Sequence, residues 1–188
     1  MMLGWINDCI ESLVVEKFGV DAWHAVKDAA GCEVPDKGFY KLESYTDKST
    51  LDLVAAAASI TGMSVDDVLD AFGQYFVHYI RGEGYASLMC CQGSTLRDWM
   101  TNINEIHGHL QTTFPKKMTM PQFWCVDAKS EDGSDDGSLI LHYYSTRGKL
   151  LAPVASGIVC EVAKYQFGFE IDMVKIRTQG EDGAKFTR

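Results

Sequence analysis

The 188-residue chain holds five histidines, His24, His78, His107, His109 and His142. A histidine taken alone is more often a surface or satisfied core residue than a metal ligand. His107 is set apart by its position. It lies four residues after Ile103, one after Ile106 and three before Leu110, so on a helix its imidazole shares the apolar face. A buried imidazole needs partners for both nitrogens, and coordination of a metal inside an apolar pocket satisfies one of them. His109, two residues on, stands roughly 200° around a helix axis. The two are therefore a poor chelating pair, and a His-only zinc site has weak support. Gly108 costs about 1 kcal/mol relative to alanine in mid-helix, and a close approach by something bulky would explain it.

Tyr143, Ser145 and Arg147 are spaced by two. If a strand beginning at Leu139 continues to Arg147, the three side chains share one face over roughly 13 Å. Two hydroxyls and a guanidinium in a row suit a ligand with two carboxylates, because arginine's planar fork grips a carboxylate at two points. Without further information the plainer reading of this row is the polar outer face of a hairpin.

The elements that must position these groups follow from periodicity and caps. An apolar stripe at Trp5, Ile6, Cys9, Ile10, Leu13 and Val14 predicts a first helix closed by Gly19, with a second over 21–30. Residues 32–47 read as a loop with a short extended piece. Ser49 and Thr50 can cap a helix over 51–61 that ends before Gly62, and Ser64 opens another whose buried side carries Val65, Val68, Leu69, Phe72, Phe76 and Tyr79. A short helix is expected over 86–91. Thr95 can cap the helix bearing His107, and Pro115 ends it. Beyond Pro121 the period changes. Residues 122–126 and 139–144 read as strands joined by an acidic, glycine-rich loop over 130–137. Pro153 begins a further helix through Val154, Ile158, Val162 and Tyr165. Residues 169–176 alternate like a strand, and 179–183 form a turn with too little chain after it for a hairpin partner. Helices first and strands later predict one α+β domain over 1–188 with an antiparallel sheet, cut from the N-terminal part of a longer protein.

Composition removes several function classes. Twenty-six acidic against seventeen basic residues give a net charge of −9, which disfavours nucleic acid and anionic membranes as partners. No apolar run is long enough to span a bilayer, and the N-terminus lacks the basic flank of a signal peptide. The six cysteines include no C-x-x-C pair, so a zinc ribbon, a thioredoxin motif and covalent c-type haem are disfavoured, and reduced thiols in the cytoplasm are expected.

A helical histidine on an apolar face, followed by Tyr143-x-Ser145-x-Arg147, resembles the H-NOX haem domains, and within them the N-terminal domain of the soluble guanylate cyclase beta subunit. The resemblance covers essentially the whole chain. It is carried by Tyr45-Thr46-Asp47, Leu53-Val54-Ala55-Ala56-Ala57, Phe72-Gly73-Gln74, Gly84-Tyr85, Ile106-His107-Gly108-His109-Leu110, Pro121-Gln122-Phe123, Leu139-Ile140-Leu141-His142-Tyr143-Tyr144-Ser145 and Glu170-Ile171-Asp172-Met173. It implies the H-NOX fold, with N-terminal helices followed by an antiparallel sheet and a helix bearing the proximal ligand. It also implies a non-covalent haem b with His107 as the iron ligand. Tyr143, Ser145 and Arg147 would hold the propionates, and Pro121 would press on the porphyrin. The distal wall would comprise Phe76, Val154, Ile6, Ile10 and Ile158.

None of these five wall residues donates a hydrogen bond. The resemblance therefore implies a ferrous, five-coordinate haem that binds NO and CO and does not hold O₂. NO would weaken the Fe–His107 bond and free its helix, a local change read by other domains of a parent cyclase. The chain itself would catalyse nothing; GTP-to-cGMP chemistry would lie outside it. Alternatives are a bacterial-type stand-alone sensor serving a kinase or cyclic-di-nucleotide enzyme, a non-haem interaction module, and a thiol sensor using Cys90-Cys91 or Cys125.

Overall fold

The computed structural model describes residues 1–31, 34–35, 38–113, 119–128 and 137–176. A two-residue strand β1 (Met2–Leu3) leads into α1 (Gly4–Phe18) and α2 (Val20–Ala30). Strand β2 (Ser44–Tyr45) pairs antiparallel with β1, Met2 opposite Tyr45. Helices α3 (Asp47–Thr61) and α4 (Val65–Ile80) follow, then a π-helical turn over Arg81–Tyr85, α5 (Ala86–Cys90) and α6 (Leu96–Thr113). Strands β3 (Gln122–Asp127) and β4 (Leu139–Tyr144) form an antiparallel pair with Phe123 opposite Tyr143 and Cys125 opposite Leu141. A short 3₁₀ turn over Gly148–Leu151 then opens α7 (Ala152–Val162), whose end relaxes into a π-helical turn, Ala163–Phe167.

The caps explain most of these boundaries. Asp67 N–H donates to Ser64 Oγ at 3.1 Å and Asp98 N–H to Thr95 Oγ1 at 3.1 Å, so α4 and α6 start where the sequence places them. Pro153 sits in the first turn of α7, where its missing N–H costs nothing. Helix α3 starts earlier than expected. Thr46 is its cap, accepting from Ser49 N–H at 3.1 Å, and the expected caps Ser49 and Thr50 lie inside the helix. The Thr50 hydroxyl serves the core instead, donating to Asn7 Oδ1 at 2.7 Å in full burial. Residues 169–176 form no strand. Phe169 N–H turns back to Ala163 O, the segment beyond has no ladder partner among the described residues, and Val174 and Ile176 are exposed. Alternation made the segment suitable for a sheet but supplied no edge to pair with. Pro115, the loop over 130–136, the turn over 179–183 and Cys32 lie outside the described residues.

Two apolar clusters result. One gathers α1, α2, α3 and the first half of α4 around Leu53, Leu69 and Val26. The other joins Val77, Trp99, Met100, Val159 and Val162 from α4, α6 and α7. Helices α4 and α7 pack with backbones in contact at Gly73 and Gly157, which brings Phe76, Val154 and Ile158 together between the clusters.

A candidate cofactor cavity between α6 and the distal helices

A cavity of about 260 Å³ opens where the clusters meet. Helix α6 supplies one wall through Trp99, Met100, Ile103, Ile106, His107 and Leu110. Helices α1, α4 and α7 supply another through Ile6, Phe76, Ile80, Val154, Ala155 and Ile158. Pro121, Phe123 and Leu141 close the sheet side, and Tyr143, Ser145 and Arg147 stand at one edge.

His107 is held from behind. Its Nδ1–H donates to Pro121 O at 3.1 Å, which fixes the tautomer with Nε2 as the free acceptor. Burial pushes its pKa below the usual histidine value, and the Pro121 carbonyl only partly opposes this. The ring is therefore a neutral imidazole, the form that ligates a metal. One turn earlier, Asn104 clamps Phe123 twice, its Nδ2 donating to Phe123 O at 2.5 Å and its Oδ1 accepting Phe123 N–H at 3.0 Å. The His107, Phe123 and Tyr143 rings form a row with centroids 5.7 and 5.4 Å apart. Asn104 escaped the sequence reading because an amide on a helix is usually solvated. His109 is exposed, His142 stacks on Trp124, and a Cβ on Gly108 would meet open space, so no protein group explains that glycine.

The acidic-ligand edge is built differently from the expectation. The strand stops at Tyr144, and Arg147 lies in a turn whose N–H donates to Ser145 Oγ at 3.1 Å. All three residues still reach the cavity. Arg147 Nη1 donates to Thr119 O at 2.7 Å and Nη2 to Met1 O at 2.7 Å and Asp47 Oδ1 at 3.2 Å. Its Nε lies 3.1 Å from Asp47 Oδ2 without hydrogen-bond alignment, so this buried N–H has no aligned acceptor. Burial works to raise the Asp47 pKa, but the Arg147 guanidinium and the N-terminal ammonium outweigh it and hold the carboxyl below its usual range. Burial raises the Tyr143 phenol.

The distal wall holds one departure and one addition. Ile10 lies outside the cavity. One turn beyond Ile6 on α1, it packs into the first cluster beside Cys9 and Leu13. Tyr75 and His78 are turned away, Tyr75 donating to Glu16 Oε2 at 3.0 Å and His78 Nε2 lying 2.6 Å from Glu161 Oε1. Trp5 and Tyr85 also line the cavity, their rings meeting edge-on with centroids 5.0 Å apart. By sequence Trp5 belongs to the apolar stripe of α1, and Tyr85 sits in a glycine-flanked connection that carries no periodicity.

A single neutral imidazole, apolar walls and an edge of two hydroxyls and a guanidinium with an unmatched N–H fit a flat metal macrocycle with an acidic rim. Among the described residues no three His, Cys, Asp or Glu gather to hold a bare ion.

Comparison with known proteins agrees. Residues 3–175 match the family model described as haem-NO-binding. The soluble guanylate cyclase gcy-35 of Caenorhabditis elegans is 28% identical over 173 residues, 92% of this chain and 24% of that protein. The soluble guanylate cyclase 89Da of Drosophila melanogaster is 28% identical over 180 residues, 96% of this chain and 26% of that protein. The chain thus spans about a quarter of the length of the curated relatives it matches. The unliganded Fe(II) H-NOX protein from K. algicida superposes with a TM-score of 0.75 at 20% identity, covering 96% of this chain and 91% of that one. The Fe(II)NO form of an H-NOX protein from S. oneidensis gives 0.68 at 18% identity, with 87% and 84% covered. These structures establish the fold as that of H-NOX domains. No described helix is long and apolar enough to cross a membrane.

Proposed function

The chain belongs to the haem-NO-binding family, and on that premise we propose that it is a haem-based nitric oxide sensor domain governing a guanylate cyclase, hence cGMP output, in the cytoplasm. The observation that carries this reading is His107, made neutral and aimed by Pro121 into an apolar cavity whose rim bears Tyr143, Ser145 and Arg147. His107 would bind iron through Nε2. Tyr143, Ser145 and Arg147 would hold the propionates of haem b, with Pro121 against the ring. When bound, a ferrous haem supplies a coordination position for NO and CO.

The chain's own part is mechanical. His107 would be the residue that holds the iron, and it sits on the helix that Asn104 fastens to β3. A change in what His107 Nε2 holds would be passed through α6 to the β3–β4 pair, where cyclase domains of a parent protein could read it. The chain would carry no catalytic group. A second reading is a stand-alone gas sensor acting on a separate signalling enzyme. The fold that the chain shares with H-NOX proteins supports this reading equally.

The test is an absorption spectrum of the reduced protein before and after NO. A Soret band that shifts with NO, disappears in His107→Ala and persists in His109→Ala is expected. A colourless protein that takes up no added hemin overturns the reading.

A further inference from the structure

Arg147 and His107 hold the two ends of one short segment, residues 119–121. Arg147 Nη1 donates to Thr119 O at 2.7 Å, and His107 Nδ1–H donates to Pro121 O at 3.1 Å. Two carbonyls of the same strap thus join the guanidinium at the cavity edge to the imidazole in its wall. Met120, half-buried and lining the cavity, lies between them.

The strap is stiff for local reasons. The ring of Pro121 fixes its φ at about −65° and leaves the nitrogen no proton to donate. A residue before proline is confined to extended conformations, and here that residue is Met120. Downstream there is no slack either, because Gln122 enters β3 and Asn104 holds both backbone groups of Phe123. A displacement of Thr119 O is therefore carried to Pro121 O instead of being absorbed on the way.

Both ends respond to what they bind. Arg147 Nη2 is divided between Met1 O and Asp47 Oδ1, while Nη1 holds Thr119 O. A carboxylate that takes this guanidinium shares it with those acceptors. At the other end, the acceptor behind a ligating imidazole orients the ring and raises its basicity.

Resting on the sensor reading above, we propose that Arg147 is a positioning residue for His107. Through Thr119–Pro121 it sets how firmly Pro121 O grips the Nδ1–H, so an acidic group seated at the edge alters the imidazole's hold on its metal.

The test compares the wild type with Arg147→Gln, Met120→Gly and Asp47→Asn. The first removes the pull on Thr119 O. The second keeps that bond and makes the strap pliant. The third loosens the Arg147 node elsewhere and leaves the strap alone. In the haem-free protein at about pH 8, ¹⁵N-histidine spectra read the ratio of the two neutral His107 tautomers. The Nδ1–H form should lose about 2- to 10-fold against the Nε2–H form in Arg147→Gln and Met120→Gly, the worth of one neutral hydrogen bond, and less than about twofold in Asp47→Asn. In the reduced, haem-loaded domain the iron–histidine stretching band should fall in frequency in the same two variants. A tautomer ratio unchanged in Arg147→Gln or Met120→Gly, or one that moves as far in Asp47→Asn, overturns this proposal and leaves the sensor reading standing. A wild type that takes up no haem overturns the sensor reading, and the tautomer ratio still decides whether the strap couples its two ends.

Discussion

Gly73 on α4 and Gly157 on α7 occupy one another's neighbourhood so closely that a Cβ on the first would stand 2.3 Å from Val154 O and one on the second 2.2 Å from Asp70 O. Neither carbonyl is a flexible side-chain end, so neither can step aside. The expected outcome for Gly157→Ala is a loss of about 2 kcal/mol, or a melting temperature lower by roughly 4–8 °C. Calorimetry of the variant checks it; an unchanged melting temperature would mean that the two helices do not lie backbone to backbone.

Thr50 and Asn7 form a buried pair across α3 and α1. Thr50→Val keeps the shape and strands the Asn7 oxygen. The expected cost is about 1–3 kcal/mol, read from urea unfolding. Asn7 Nδ2 already lacks a partner, so Thr50→Val with Asn7→Leu should recover part of the loss.

His107 makes the stability of the haem-free protein depend on pH. Burial lowers its pKa in the folded state below the reference value of 6.5. Protons therefore favour the unfolded chain. The contribution of neutral His107 is complete above about pH 6.5 and is lost progressively as pH falls below it. Unfolding free energies of wild type and His107→Gln, measured from pH 7.5 down to 5, should converge or cross towards acid. Parallel curves would contradict the burial of the imidazole.

Arg147 joins the chain around positions 1, 47 and 119, and under the proposed function it also meets an acidic rim. Arg147→Ala should release hemin to apomyoglobin about 10- to 100-fold faster than wild type, the range for losing a charged hydrogen bond. An unaltered transfer rate would remove this residue from the binding edge.

The sequence made the helices with strong caps legible, and failed where two local choices competed. Ser64 and Thr95 announced α4 and α6 because each hydroxyl had one helix start to serve. Thr46, Ser49 and Thr50 offered three hydroxyls within five residues, and only the folded core, where Asn7 needed Thr50, decided among them. Periodicity picked out His107 because Ile103, Ile106 and Leu110 share its helical face. It said nothing about Pro121 O, fourteen residues away, which sets the ring's tautomer. The spacing of Tyr143, Ser145 and Arg147 grouped the right side chains on a premise of continuous strand, whereas a turn after Tyr144 delivers them. Trp5 was hidden as a cavity residue because an aromatic on an apolar stripe reads as core, and Tyr85 because its glycine-flanked connection carries no periodicity.

Asn104 and His107 fasten α6 to the approach of β3 at two points one helical turn apart. A joint pinned once can swivel; pinned twice, it cannot. A pull on the imidazole therefore arrives at the hairpin as a tilt of the whole helix-and-strand block, and the lever arm is the length of α6, not the width of one ring.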